Sequence, residues 1–554
     1  MQSNTKKKTV VVVGGVAGGM SFAARYRRLN LDDEIIVVDK NPYVSFANCG
    51  LPYHISEEIP EREDLIVVSE KTIRDRFRID VRAEEEVVRI VPEEKKICTE
   101  TKAGEKKEIA YDILVLSPGA KPIRLDIEGL ASHPAVFTLR NIPDLDRIKG
   151  SLAGTQPKSA TVIGGGFIGL EVAESLKNAG LEVAIVQISD HLLPPFDPEM
   201  AVFAEKELTD HGVKVLTNNS VEKVEGKKLT LQDGSELESD LLLMSVGVAP
   251  ETGFLEGSGI ELGMKDGIKV DEHYRTSVPD IYAIGDSIIV KHTITGEDVM
   301  IALAGPANRQ GRQLADMLSG YDHDLSGSLG TSIVRIFDRA FASTGLNESQ
   351  LEGRNYQPIH LIGKSNAGYF PGSEDILLKL IYDKDSREIL GAQAVGKKGV
   401  DKRIDVIATA IKAGLRADRL QELELSYSPP YGSAKDIINL AGYFAENVML
   451  GLTDPIQISE LADYEKRGYR VIDVRTAKEY ERGHIDGAKN VPLDEIRDRL
   501  DEFEKDEKYV VHCRSSVRSY NAERILKAEG YHVKNLDGSF VYFAANFPDR
   551  IVRD

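Results

Sequence analysis

The chain has 554 residues, too many for one hydrophobic core and enough for three to four domains at roughly 100–200 residues each. A formal net charge of −19 argues against nucleic acid or an anionic membrane as partner, because phosphates repel such a surface on average. No apolar run approaches the roughly 18–20 residues of a membrane span, and MQSNTKKKTV lacks the apolar segment of a secretory signal. With only Cys49, Cys98 and Cys513 there is no disulfide scaffold, so a reducing, cytoplasmic location is expected.

The first element, TVVVVGGVAGGMSFAARYRRL, runs from a β-branched apolar strand through Gly14, Gly15, Gly18 and Gly19 into a helix with apolar residues at helical spacing. A second buried strand, IIVVDK, ends at Asp39 and Lys40. Glycines that let a backbone approach a pyrophosphate, followed by an acid placed for ribose hydroxyls, make a dinucleotide site, although Val16 stands where the middle glycine is usual. Next comes SFANCGLPY with Cys49, which has no second cysteine near enough for a CxxC or CxxxxC pair. A lone thiol beside a redox cofactor must exchange with a small molecule or with oxygen. Cys98 lies in a charged run expected to form an exposed hairpin and is assigned no role.

The fingerprint then repeats. ATVIGGGFIGLEVAESLKNAG carries Gly164, Gly166 and Gly169, and LEVAIVQ supplies the following strand. Two such units read as one site for FAD and one for a nicotinamide nucleotide. TSVPDIYAIGDS places Gly285 and Asp286 after an apolar strand, and resembles the segment that binds the ribityl chain of FAD in two-dinucleotide flavoproteins. YDILVLSPGA, with Pro118 and Gly119, resembles the crossover between two nucleotide domains.

On these motifs, residues 9–445 resemble the single-cysteine branch of the pyridine nucleotide-disulfide oxidoreductases, which includes coenzyme A (CoA)-disulfide reductases, NADH oxidases and NADH peroxidases. The resemblance implies an α/β architecture of two Rossmann-like domains plus an α+β dimerisation domain. FAD-binding parts are expected at 1–150 and 271–325, an NAD(P)H-binding domain at 151–270 and an interface domain at 326–446 that builds a homodimer. It also implies FAD contacts at Ala17 and Ala304 besides the residues named above, and nicotinamide contacts at Phe167, Ile168, Glu171, Gln187 and Gly247, with Phe167 as an aromatic gate. Oxidases and peroxidases carry a histidine where this chain has Ala17, and SFANCGLPY is close to the CoA-disulfide reductase signature. Cys49 is therefore expected to form a mixed disulfide with CoA, its pKa lowered by flavin and a helix terminus. The alternative is an NADH oxidase or peroxidase with an auxiliary thiol-binding module.

By the same resemblance, Ser21, Arg25, Arg28, Ser45, Asn48, Arg76 and Asn308 contact CoA. SNAGYFPGSE holds Tyr369, and LSYSPPYGSAKD holds Tyr427 and Lys435, which the resemblance also implies as CoA contacts; the two tyrosines are expected to reach the partner subunit's cysteine and assist the departing thiolate. Gln187 replaces the acid that ends the second strand of an NAD site, and no arginine follows, so weak discrimination between NADH and NADPH is expected.

Residues 447–460 read as a linker, and 461–554 resemble a rhodanese domain through Asp473, Arg475, GHIDGA and KYVVHCRSSVRS. Cys513 opens the loop Arg514, Ser515, Ser516, Val517, closed by Arg518. Inward N–H groups, with Arg514 and Arg518 adding charge, would hold a persulfide anion. The four residues between Cys513 and Arg518 suit a single sulfur atom rather than phosphate. CoA disulfide, CoA persulfide or polysulfide is the expected substrate, and no metal site is expected.

Overall fold

The computed structural model describes residues 7–324 and 327–553. The domain boundary expected between 325 and 326 lies outside them. The chain divides into two compact units, Met1–Ser189 with Gly212–Gly330, and Asp190–His211 with Thr331–Asp554.

In the first unit, strands Ile281–Ala283, Ile113–Leu116, Thr9–Val13, Glu34–Asp39 and Asp80–Ala83 form one five-stranded parallel sheet in that order. Both faces are covered, which explains near-continuous runs such as VVVV and IIVVD in place of alternation. Because Ile281–Ala283 pairs with Ile113–Leu116, the segment around Gly285 returns to the sheet begun by the first glycine loop. A second five-stranded sheet, Lys214–Leu216, Glu182–Val186, Ser159–Ile163, Leu241–Met244 and Val136–Phe137, repeats the arrangement around the second loop. Helices Ala17–Leu29 and Ala304–Leu318 pack closely, since a Cβ on Gly311 would lie 2.4 Å from the Gly18 carbonyl oxygen. Cys98 sits in a three-stranded antiparallel sheet, its sulfur 3.5 Å from Arg89 Nη2.

The second unit holds a five-stranded antiparallel sheet, ordered Ser332–Ile336, Arg339–Gly345, Ile389–Gly396, Asp375–Asp383 and Tyr356–Lys364, backed by helices Val400–Lys412 and Ile437–Met449. Its C-terminal part is a parallel sheet ordered Pro455–Ile456, His532–Leu536, Lys508–His512, Tyr469–Asp473 and Lys489–Asn490.

Two expectations change. The segment 447–460 is not only a linker, because Pro455–Ile456 joins the last sheet as an edge strand. Residues 190–211, expected in the nicotinamide domain, belong to the second unit because their helix Pro198–Asp210 and the preceding turn bring Asp197 and Glu199 to fully buried Lys379. Lys379 Nζ lies 2.6 Å from Asp197 and also contacts Glu199 and Glu348, so its ammonium fills a nest of three carboxylates.

Candidate active sites

The two glycine loops are near copies. Gly14 and Gly164 have φ of 100° and 105°, and a Cβ on Gly19 or Gly169 would lie 1.9 or 2.1 Å from the carbonyl oxygen of Gly14 or Gly164. Only glycine permits that closeness between loop and helix. The helices that follow, Ala17–Leu29 and Phe167–Asn178, have no side chain capping their N-termini, which leaves N–H groups facing the loop. Asp39 accepts the Gly15 N–H at 2.7 Å, and Gln187 Oε1 accepts the Gly165 N–H at the same 2.7 Å. Burial pushes the Asp39 carboxyl up against these hydrogen bonds. Val16 sits at the place of Gly166, where a Cβ would meet open space. Uncapped helix ends and close turns fit pyrophosphate groups at both loops, and the second adds open space at Gly166.

A cavity of about 590 Å³ runs from Val16 past Lys40, Pro118 and Arg140 to Glu251, which pairs with Lys40 at 3.0 Å. A neighbouring cavity of about 580 Å³ shares Val16, Phe46 and Asn48 with it and contains Cys49. Ala17, Ser21, Arg25, Arg28, Ser45, Ala304 and Asn308 also line this second cavity. Ser45 adopts φ 51° and its N–H donates to the Gly15 carbonyl at 2.7 Å, so the cysteine segment hangs from the first glycine loop. Ser21 donates to Asn308 at 2.5 Å, and Asp316 holds Arg25 at 2.5 Å. Arg76 does not line the cavity, although Ile73 and Phe77 of its helix do. Arg312 lines it, and sequence reading missed it although it falls one helical turn after Asn308.

The Cys49 pKa is raised rather than lowered in the protein by itself. The protein mass around it penalises the thiolate, the Glu171 carboxylate adds to this, and Arg140 opposes it. Cys49 itself is exposed and its N–H donates to Asn48 Oδ1 at 3.1 Å. The helix after it, Leu51–Ile55, has five residues, too short to supply the dipole that was expected. Glu171 accepts the Tyr53 hydroxyl of that helix at 2.9 Å. Arg140, absent from the sequence reading, also lies 3.6 Å from Asp286, whose carboxyl is raised by burial. Gly285 donates its N–H to Gln310 Oε1 at 2.7 Å. Phe167 opens its helix half-buried, Ile168 is exposed, and Gly247 turns at φ 104°.

In the second unit, Tyr369 and Tyr427 are brought together with hydroxyls 3.3 Å apart, exposed at 77% and 49%. Their hydrogen bond raises the Tyr369 pKa. Lys435 is exposed nearby in sequence to Asp436, which pairs with buried Arg403 at 2.7 Å.

Cys513 is 1% exposed at the end of strand Lys508–His512, before helix Val517–Ala528. The Ser515 N–H donates to its sulfur at 3.4 Å, while its own N–H donates away, to Ser539 Oγ at 3.3 Å. Ser516 turns the loop with φ 71°. The two loop arginines do not present free charge, which corrects the sequence reading. Arg518 makes two 2.7 Å hydrogen bonds to Glu479, whose carboxyl is lowered to about 2, and Arg514 is bound by Asp375. His512, with Nε2 3.7 Å from Asp473, is fully buried beside the cysteine and was not singled out from sequence.

The pyridine nucleotide-disulphide oxidoreductase family model matches residues 8–311, its dimerisation domain residues 331–436, and the rhodanese-like domain residues 458–546. A coenzyme A disulfide reductase of Staphylococcus haemolyticus is 35% identical over 443 residues, 80% of this chain and 100% of that protein. The crystal structure of reduced CoADR-RHD from Bacillus anthracis superposes with a TM-score of 0.97 at 46% identity, covering 99% of this chain and 100% of that one. The NAD-dependent persulfide reductase from A. fulgidus gives a TM-score of 0.91 at 35% identity, covering 97% and 100%. Among the described residues no helix is long and apolar enough to cross a membrane. With paired glycine loops, a solitary thiol in its cavity and a buried cysteine loop at the C-terminus, the chain belongs to the pyridine nucleotide-disulphide oxidoreductase family and carries a rhodanese-like domain.

Proposed function

We propose that this chain is an FAD-dependent, NAD(P)H-linked reductase of CoA disulfide and CoA persulfide or polysulfide that works as a homodimer, with Cys513 transferring sulfane sulfur. The carrying observation is the cavity in which Cys49 shares walls with Arg25, Arg28 and Arg312; one acid, Asp316, holds Arg25 and lies 3.9 Å from Arg312, so three guanidiniums against it leave positive charge for phosphates on an otherwise acidic protein. The two relatives that act on CoA disulfide and on persulfide support this reading. Ala17 in the first loop disfavours the oxidase alternative.

Bound FAD supplies a two-electron relay between the nicotinamide and sulfur. The first glycine loop, Asp39, Lys40, Pro118, Gly119, Gly285, Asp286 and Ala304 would hold it, and Gly164, Gly166, Phe167, Ile168, Gly169, Gln187 and Gly247 the nicotinamide nucleotide. Ser21, Arg25, Arg28, Ser45, Asn48, Asn308 and Arg312 fix CoA so that its sulfur meets Cys49. The Cys49 thiolate attacks the CoA-bound sulfur, forming a Cys49–S–S–CoA bond and expelling CoA thiolate from the disulfide or hydrosulfide from the persulfide. Reduction of that bond by the two electrons drawn from NAD(P)H would return Cys49 to its thiolate and free CoA thiolate. Tyr369 and Tyr427, exposed as a pair, donate a proton to the thiolate leaving Cys49 of the partner subunit.

The test is product identity. Anaerobic NADH oxidation should release CoA thiol stoichiometrically, with little NADH consumed by oxygen alone; oxygen-driven turnover at equal rate would reject the proposal. Cys513→Ser should leave CoA-disulfide reduction intact and slow sulfide release from polysulfide. Unchanged sulfide release would remove the tail from the pathway.

Nicotinamide choice follows from Gln187, whose neutral amide is already spent on Gly165 and Ser189. Values of kcat/KM for NADH and NADPH should lie within about tenfold, a difference of about 1.4 kcal/mol. Gln187→Glu should shift the ratio toward NADH by about tenfold or more through repulsion of the extra phosphate. A preference of several hundredfold in the parent chain would contradict this.

A further inference from the structure

Three buried loop N–H groups each end on a side-chain oxygen at 2.7 Å. Gly15 donates to Asp39 and Gly165 to Gln187, both at the carboxyl end of the strand after the loop, whereas Gly285 donates to Gln310 Oε1. Gln310 comes from helix Ala304–Leu318, 25 residues on in sequence, and is 4% exposed. It lines neither the cavity of Cys49 nor that of Lys40 and Arg140. Its donor has no sheet partner left: Ile284 makes the last N–H bond to the parallel sheet, to the Leu116 carbonyl at 2.9 Å, and a buried N–H without an acceptor is costly. Gly285 turns at φ 85°, and a Cβ on it would lie 3.3 Å from Ser117 Oγ. Gln310 is itself anchored, because its neighbour Gly311 sits so close to the first glycine-loop helix that a Cβ would lie 2.9 Å from the Phe22 nitrogen. Asp286 follows Gly285 directly. Among the described residues its half-buried carboxylate accepts no hydrogen bond, and its one ion pair, with Arg140, is 3.6 Å long. What aims that carboxylate is therefore the turn before it.

We infer that Gln310 is a positioning residue of the flavin site: by holding the Gly285 N–H it fixes the turn from which Asp286 offers its carboxylate to the hydroxyls of the ribityl chain. This rests on the reading of Gly285 and Asp286 as flavin-binding and adds the side chain that supports them. A desolvated carboxylate without a hydrogen-bond donor suits incoming hydroxyls, and such bonds weaken steeply when acceptor and donor are misaligned. Asp39 fills the same part at the first loop with a carboxylate, so the turn requires an oxygen acceptor at that reach rather than an amide as such.

The experiment measures the dissociation constant of FAD from the full-length holoprotein, read from the flavin fluorescence released on serial dilution. Gln310→Leu should raise it about tenfold or more, because the Gly285 donor is left buried and unpaired. Asp286→Ala should raise it as well, and the double variant should lie within about threefold of Asp286→Ala alone, since the glutamine acts through that carboxylate. Gln310→Glu, which keeps an acceptor of the same length, should stay within about threefold of the parent chain. Gln310→Asn, one methylene too short, should resemble the leucine variant and replaces it if that one fails to fold. A constant unmoved by the leucine and asparagine variants, additive losses in the double variant, or a glutamate as damaging as leucine would each overturn the proposal. Asp286→Ala holding FAD as tightly as the parent would instead overturn the flavin-binding reading of the turn on which it stands.

Discussion

Cys49→Ser is expected to lower kcat for NAD(P)H-dependent reduction of CoA disulfide by roughly a thousandfold or more, while reduction of bound flavin by NADH persists. Serine keeps the shape and the hydrogen bond from the residue 49 N–H to Asn48 Oδ1, so folding and cofactor binding should survive. What disappears is a sulfur able to exchange, and no other cysteine replaces it: Cys98 lies in a separate three-stranded sheet, and Cys513 is buried in the other unit. Stopped-flow spectroscopy separates the two half-reactions. A variant that turns over at more than about a tenth of the parent rate would remove Cys49 from the mechanism. The pH profile gives a second readout. Because the protein surrounding the thiol and the Glu171 carboxylate raise the Cys49 pKa, the reactive thiolate fraction grows as pH rises. Arg140→Met removes the opposing cation and should move that rise to higher pH, whereas Glu171→Gln should move it lower.

Lys379→Met is expected to be the most damaging substitution for stability, by about 3–5 kcal/mol in the transition that unfolds the second unit. Methionine fills the space but leaves Asp197, Glu199 and Glu348 facing one another without their shared ammonium. Calorimetry of the parent and variant checks this, and a shift in Tm under about 2 °C would contradict it. The same network makes stability depend on pH. Burial acts against protonation of His360, yet Asp537 at 2.8 Å and Glu199 at 3.1 Å push its pKa up to about 9 from 6.5. A raised histidine stabilises fully below its unfolded pKa, so this contribution is present below about 6.5 and is lost as pH climbs through about 9. Glu199 runs the other way. Burial opposes ionisation, but Lys379 and His360 hold the carboxyl well below the usual range, so its contribution is lost only in strong acid. His360→Gln should flatten the alkaline limb of a Tm–pH curve and leave the acid limb.

Much of the nucleotide chemistry was legible in the sequence because it is local. Gly14, Gly19, Gly164 and Gly169 are needed where a backbone closes on itself within a few residues, and such needs leave a pattern at fixed spacing. Cys49 and Cys513 were conspicuous for the same reason: each sits in a short local motif, Cys49 in the turn Asn48–Gly50 just before a helix and Cys513 between a strand and a helix. What stayed hidden are partners that meet across long stretches of chain. Asp375 and Arg514 are separated by 139 residues, His360 and Asp537 by 177, and no spacing rule links them. Arg140 lacked a motif, and only the fold brings it to Asp286, to the cavity wall and near Cys49. One clue was present. Lys379 lies among ILL and LIY in a strand whose neighbours are all buried, and a lone ammonium in such a run requires opposing carboxylates from elsewhere. The upward push on the Cys49 thiol by the protein alone was hidden because it comes from the surrounding chain and from Glu171, 122 residues away in sequence.

The bond between His360 and Asp537 bears on how the two-part gene product can change over time. Asp537 is 1% exposed and also takes the His360 backbone N–H at 3.0 Å, while Tyr542 reaches the Leu361 carbonyl at 3.3 Å. A tail severed at the linker would carry a naked acid and an orphaned phenol on what had been an inner wall. Fission of the gene is therefore penalised at once, and a free-standing descendant would first have to repaint that wall with residues suited to water.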